Sequence, residues 1–389
     1  MISTSKRTST NNVYDIGFIV SAIAMAGILL AMPYQISSVI SLGTYAIAGC
    51  AVIMYIKYVI DHMNRMVFLG VILFFLIAIC FLTVFVSHKD LKSDMVSAIC
   101  FLEIPMFMLC GKEIKSKHSV KIFIWIQYIL SFYYLYLSTT NKAHYFEGSY
   151  GTAYLNELTL SYHNPNEASM YLTACLLTLL VAIILYKNVL LKILFGVNAS
   201  IVLGLVFLTR SRAGMLVCIA VCILLIFLKK IPVTRMVTRL AFAAPLVMVI
   251  LIYFFNDKMV EWQIFGSSVE TGRINVFNRV FNNLEFHEFF LGDFGNLAFN
   301  NLHNIYISVF GTIGIIGFIL YVAYMYNMFI RHQEDNNYAQ KLAYIGILLL
   351  VIYSSVESTF FTGGSAFAMC FMGLYLLAGF SERTQIEKA

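Results

Sequence analysis

Two arginines separated by one serine, Arg210 and Arg212, stand between long apolar runs that otherwise carry few charges. Paired guanidinium forks recognise phosphate or carboxylate oxygens bidentately, as fixed charges. The same pair can instead snorkel, with stems in hydrocarbon and heads among lipid headgroups. From Arg212 to Lys229 there are seventeen helical steps, about 25 Å at 1.5 Å each and short of a ~30 Å hydrocarbon core. The arginine heads are therefore expected at or just below phosphate level.

Arg273 opens a second stretch. Thr271 is a candidate helix cap, and Ile274, Phe277, Val280, Phe281 and Leu284 recur at helical spacing opposite Asn275, Asn278, Arg279 and Asn282. This predicts a short amphipathic helix lying in the membrane interface. Arg273 would add its charge to the positive helix end, which favours an anionic ligand. A solvated face is the alternative, and it fits Arg279 better than Arg273. His303 lies where a long loop enters an apolar run, and an imidazole there can accept a proton near pH 7. A satisfied polar contact is the plainer alternative. His163, Asn164, Pro165 and Glu167 read as a turn that caps the following helix. Glu103 lies within an apolar run, a position that normally faces a bundle interior and finds a partner. Glu357 ends another such run.

The elements that must position these residues follow from composition. Of 389 residues, 60% are hydrophobic and 12% charged, with mean hydropathy +0.81, against roughly 25% charged in soluble domains. Twelve apolar runs are long enough to suggest spans: 16–32, 39–60, 66–86, 95–111, 120–137, 168–186, 189–208, 213–228, 240–255, 305–329, 342–356 and 365–380. Each must be helical, because backbone groups find no water partner in lipid. The expectation is an all-α polytopic membrane protein, with 1–389 as one integral domain. With a cytoplasmic N-terminus, 18 of the 26 Lys and Arg residues fall in inside segments, the bias that sets orientation; both termini are then cytoplasmic. Two longer segments face outside, 138–167 and 256–304, and the second is too rich in aromatics to read as disordered.

Several classes drop out. The net charge of +6 comes from topology-setting lysines and arginines and calls for no nucleic-acid partner. All eight cysteines lie in apolar stretches and form no Cys-x-x-Cys pair, so they read as core hydrophobes. The first apolar run ends in Met32, Pro33 and Tyr34, which suits a span better than a cleaved signal peptide. No Walker loop, dinucleotide fingerprint or metal-ligand motif is present. Gly311, Gly314 and Gly317 are placed to permit close helix contact.

Four short motifs occur in order: Ser211 to Gly214, Thr271 to Arg273, Leu291 to Gly295, and His303 to Tyr306. In that order and topology the chain resembles the O-antigen ligase/polymerase superfamily of bacterial surface-polysaccharide assembly. The likeness covers about 205–320; the first five spans agree only in being hydrophobic. The resemblance implies a metal-independent, inverting glycosyltransferase of the multi-span, GT-C-like class, without cofactor, in a bacterial inner or plasma membrane. It implies donors carried on undecaprenyl diphosphate, Arg212 and Arg273 on the diphosphate, and His303 as the base that deprotonates an acceptor hydroxyl. Arg210 joins the arginines by proximity alone, and His163, Glu167, Asn304 and Glu357 are candidate acceptor contacts or supports. Chain-length regulator and flippase proteins are the partners it suggests. A repeat-unit polymerase for a capsule, exopolysaccharide or O-antigen is the leading expectation and a glycan ligase its close alternative. A lipid-linked sugar transporter or flippase is the alternative of another class; it would call for two related halves with broken midplane helices, which the sequence does not display.

Overall fold

The computed structural model describes residues 12–62, 68–141, 143, 157–162, 164–227, 234–261, 263–264, 267–268, 273–297, 302–330, 337–357 and 365–379. All twelve apolar runs are helices: α1 (Asn12–Ala31), α2 (Ser37–His62), α3 (Phe68–Ser87), α4 (Leu91–Cys110), α5 (Lys117–Ser138), α6 (Pro165–Leu185), α7 (Val189–Leu208), α8 (Arg212–Phe227), α9 (Arg235–Glu261), α13 (Ile305–Ile330), α14 (Tyr338–Tyr353) and α15 (Ser365–Gly379). Between α9 and α13 come a two-residue antiparallel pair, β1 (Gln263–Ile264) with β2 (Ser267–Ser268), and the short helices α10 (Arg273–Asn283), α11 (Phe286–Leu291) and α12 (Phe294–Leu297). Among the described residues nine helices are long and apolar enough to cross a membrane, so the chain is a multi-pass membrane protein. The other three apolar helices, α8, α14 and α15, have only 16, 16 and 15 residues.

Local sequence sets the helix starts. Pro165 sits in the first turn of α6 while the Asn164 side chain accepts from the Glu167 N–H at 2.9 Å, as the turn pattern predicts. Asn337 and Gln340 close a reciprocal capping box on α14. The last helix, α15, is central: it is buried from Ser365 to Ala378 and packs on α1, α4, α6 and α14.

The bundle has two polar ends. At one, Asp15 accepts from the Ser116 N–H (3.0 Å) and the Ser119 hydroxyl (2.9 Å), Tyr14 donates to Asp61 (3.1 Å), and His62 lies 3.6 Å from Glu113. This is the Glu113 end. The opposite one, the Arg212 end, gathers the α7–α8 turn, the segment before α6, the start of α13 and the residues after α14.

The helix predicted from Arg273 forms, but its apolar side is not turned to the lipid interface. Phe277 and Val280 are buried against Ile252 of α9 and against Leu302, Ile307 and Phe310, and Tyr253 donates to Asn278 at 2.8 Å. The end of α9 and the start of α13 together present enough apolar surface to hold α10 on the protein. The glycine-bearing turn after α11 has an equally structural role. Gly292 and Gly314 both adopt left-handed φ (85° and 66°). A Cβ on Gly292 would collide with the Thr312 carbonyl, and one on Gly314 with the Phe290 carbonyl. The Asp293 N–H then reaches the Gly311 carbonyl at 2.8 Å. The glycines of α13 thus admit the loop backbone.

Candidate functional site

The α7–α8 turn presents the arginine pair. Reversing the chain in a few residues puts Arg210 in the left-handed region (φ 55°), while the Ser211 N–H donates to Thr209 Oγ1 at 3.2 Å. Left-handed backbone is uncommon for a residue with a Cβ and tends to collect at functional sites. Gly214 lets α8 press on α6, since a Cβ there would strike Ser169 Oγ. That approach brings Ser211 Oγ within 2.8 Å of Asn166 Oδ1 and 3.0 Å of the Tyr353 hydroxyl, and Tyr353 also donates to the Asn166 carbonyl at 3.2 Å. Arg210 is exposed and Arg212 half-buried.

Both guanidiniums act on Glu157, a residue to which neither periodicity nor motif points. Its neighbour Leu158 donates its N–H to the Leu208 carbonyl at 3.0 Å, which fixes the segment beside the turn. Burial raises the Glu157 carboxyl above its usual range, and Arg210 and Arg212 pull against that rise. An acid facing two arginines is the signal by which Glu157 could have been found.

His303 also has left-handed backbone (φ 55°). Its Nδ1 lies 3.9 Å from Glu357 Oε2, with the imidazole 36% exposed and the carboxylate 1%. That separation suits an ion pair with a protonated ring and is too long for a hydrogen bond. Asn304 is a support. Its Oδ1 accepts from the N–H groups of Tyr306 (2.9 Å) and Ile307 (3.3 Å), and its Nδ2 donates to the carbonyls of Pro245 (2.9 Å) and Ser355 (3.0 Å). The amide is fully used as the N-terminal cap of α13 and as a clamp to two other elements. Ile305 adds an N–H donated to the Ser354 carbonyl at 2.9 Å.

One run, Tyr353 to Glu357, therefore touches both halves of the candidate site. Its tyrosine meets Ser211 under the arginines, its middle holds the α13 start, and its glutamate faces His303. Glu167 is buried in the first turn of α6, one residue from Asn166, and its charge is felt by Tyr162 and Tyr171. The structure thus gathers Arg210, Arg212, Glu167, His303, Asn304 and Glu357 at one end. Arg273 opens α10 as expected, and α10 packs on Leu302, next to His303; the Arg273 side chain and His163 lie outside the described residues. Among the described residues no three His, Cys, Asp or Glu side chains gather as metal ligands would. Asn166 and Tyr353 escape sequence reading because their contacts join positions 45 to 187 residues apart.

No family model, no curated protein and no solved structure matches this chain.

Proposed function

We propose that this protein polymerises lipid-linked oligosaccharide repeat units into a bacterial surface polysaccharide, by glycosyl transfer from an undecaprenyl diphosphate donor. The observation that carries the reading is the meeting of an arginine pair and a carboxylate-faced histidine around the single run Tyr353 to Glu357. In this reading all twelve apolar helices span the membrane, the termini are cytoplasmic and the Arg212 end is external.

The chemistry follows from the groups present. Arg212, with Arg210 and Arg273, holds the donor diphosphate and neutralises the charge that grows as the anomeric C–O bond breaks. His303 takes the proton from the acceptor hydroxyl as its oxygen forms the new C–O bond, with inversion at the anomeric carbon. Glu357 faces Nδ1 and stabilises the imidazolium, which leaves Nε2 on the side of the ring away from that carboxylate to receive the proton. Glu157 occupies the arginines until the diphosphate displaces it.

The test is incubation of the purified protein with a defined undecaprenyl-diphosphate repeat unit. A ladder of products supports polymerisation, and it should persist in EDTA. Transfer only to a foreign acceptor means a ligase. Lipid scrambling without transfer means a flippase; either outcome overturns the proposal.

A further inference from the structure

The segment after α10 runs along two membrane-crossing helices, α3 and α13, and its hydrogen bonds fix how far it descends. Thr83, four residues before the end of α3 at Ser87, donates its hydroxyl to the Leu291 carbonyl, and Ser87 Oγ accepts from the Phe294 N–H at 2.9 Å. On α13 the Asp293 N–H reaches the Gly311 carbonyl at 2.8 Å. The Phe290 carbonyl lies against Gly314, nine residues past Ile305 and so about 14 Å along the helix. The turn between α3 and α4, with His88, Lys89 and Asp90 all exposed, marks the border with water. From Ser87 back to Thr83 is about 6 Å at 1.5 Å per residue, so Leu291 stands inside that border. The turn from α11 to α12 is sunk among helices that cross the membrane.

The backbone there is dressed for lipid. Each N–H through the non-helical turn is taken by the protein: Gly292 by the Glu288 carbonyl (2.6 Å), Asp293 by Gly311 and Phe294 by Ser87. Hydrocarbon imposes that condition on irregular backbone, whereas water would satisfy it directly. The side chains agree, because α11 keeps an apolar face uncovered among the described residues. Phe286, Phe289 and Phe290 recur at i, i+3 and i+4, one side of a helix, and are 84%, 45% and 38% exposed. Phe286 meets Phe290 at 5.2 Å between ring centres and Phe289 meets Phe290 at 5.4 Å. The polar residues of the same turn hold one another: the Glu285 N–H donates to Glu288 Oε2 at 2.7 Å, and His287 Nδ1 lies 3.4 Å from Glu285 Oε2.

We infer that α11 is a membrane-embedded wedge whose phenylalanine face sits in the upper acyl region of the leaflet at the Arg212 end. The occupant of that face is lipid hydrocarbon, because the face continues a belt that the neighbouring spans already present to lipid: Leu82, Phe85 and Val86 on α3, Ile316 and Ile319 on α13. Aromatic rings beside charged residues that reach the headgroups are the chemistry of an interfacial helix. In water the same three rings would form an exposed apolar patch. A second copy of this chain would have to displace lipid to reach a face inside the border. The inference does not depend on the polymerase reading. It gives the bilayer a hold on the site, since α11 grips α13 at Gly314 and α13 begins two residues after His303.

The experiment uses the full-length protein in phosphatidylcholine vesicles, with its two tryptophans replaced as Trp125→Phe and Trp262→Phe and one reporter added as Phe286→Trp, Phe289→Trp or His287→Trp. Emission from Phe286→Trp and Phe289→Trp should be blue-shifted, lose most of its intensity when the phosphatidylcholine is brominated on its acyl chains, and change little with aqueous iodide. His287→Trp should respond in the opposite sense, with iodide the stronger quencher. Quenching of Phe286→Trp by iodide in place of bromine overturns the inference in favour of a loop in water. Insensitivity to both quenchers overturns it in favour of a face covered by protein, and a signal that then changes as the protein is diluted in lipid identifies a second copy. Phe289 also meets Phe310 at 5.5 Å. Should Phe289→Trp fail to fold, Phe286→Trp, whose side chain is almost wholly exposed, decides the matter.

Discussion

The two ends of the bundle use polar residues in opposite ways. At the Glu113 end charges are matched by neighbours close in space: Lys57 with Asp61 at 2.5 Å, His62 with Glu113 at 3.6 Å, Lys115 with Glu113 at 3.9 Å. Every one of those groups keeps some contact with solvent, and α5 begins there with an ordinary serine cap. At the Arg212 end two arginines share one half-buried acid, a histidine faces an almost fully buried glutamate, and both Arg210 and His303 have left-handed backbone. The first end explains itself as helix stitching. The second carries strain and cationic charge beyond what holding helices together requires, which is how a site differs from a seam.

Substitutions at both ends test that contrast. The largest effects belong to Arg212→Ala and His303→Ala. Each should lower the rate of ladder growth by about 100- to 1000-fold, the range for a lost charge stabiliser or general base, with melting in detergent unchanged. Equal losses from Asp15→Asn at the Glu113 end would erase the distinction. Next comes Gly314→Ala, which forces a Cβ into the Phe290 carbonyl at positive φ; a cost of about 3 kcal/mol should appear as a lower melting temperature and as lost activity together. Tyr353→Phe removes the hydroxyl beneath the arginines and should cost about 1 kcal/mol, roughly a fivefold fall in kcat with donor KM little changed.

Glu157→Gln sharpens the picture through pH. Burial raises the Glu157 carboxyl, so it takes up a proton earlier than an exposed glutamate as pH falls. Neutralisation releases Arg210 and Arg212, and donor KM in the natural protein should drop about two- to threefold on the acid side. The glutamine variant should show the low KM throughout, with that limb of the profile flattened. The smallest effect is expected from His62→Ala, which loses a partly exposed contact with Glu113 worth under ~1 kcal/mol: a slight loss of thermal stability and no change in the ladder.

Sequence made the helices legible because lipid leaves the backbone one solution, so apolar runs map onto helices within a few residues, from Val189–Leu208 to Ile305–Ile330. It also pointed to Arg212 and His303, because a charge or an imidazole at the margin of an apolar run is conspicuous. It could not rank Asn304, whose four hydrogen bonds make it a brace, since a cap and a contact residue look alike in one dimension. Tyr353 and Asn166 were invisible for the same reason: their value lies in a meeting between distant segments. Nor could periodicity tell that the Phe277 and Val280 face would find protein in place of lipid, because both partners reward the same pattern.

The brevity of α8 has a consequence for the bilayer itself. Leu216, Ile219, Ile223 and Ile226 form a stripe that the protein leaves uncovered, yet the helix is only 16 residues long, about 24 Å. In the proposed reading, where α8 spans the membrane, lipids bordering that stripe would meet a hydrophobic belt several ångströms too narrow and compress to match it. Compression carries headgroups toward Arg212, so under the proposed function the donor lipid would arrive along this flank with its phosphates already lowered to the guanidiniums. Reconstitution in progressively longer acyl chains should then slow the protein long before it unfolds it.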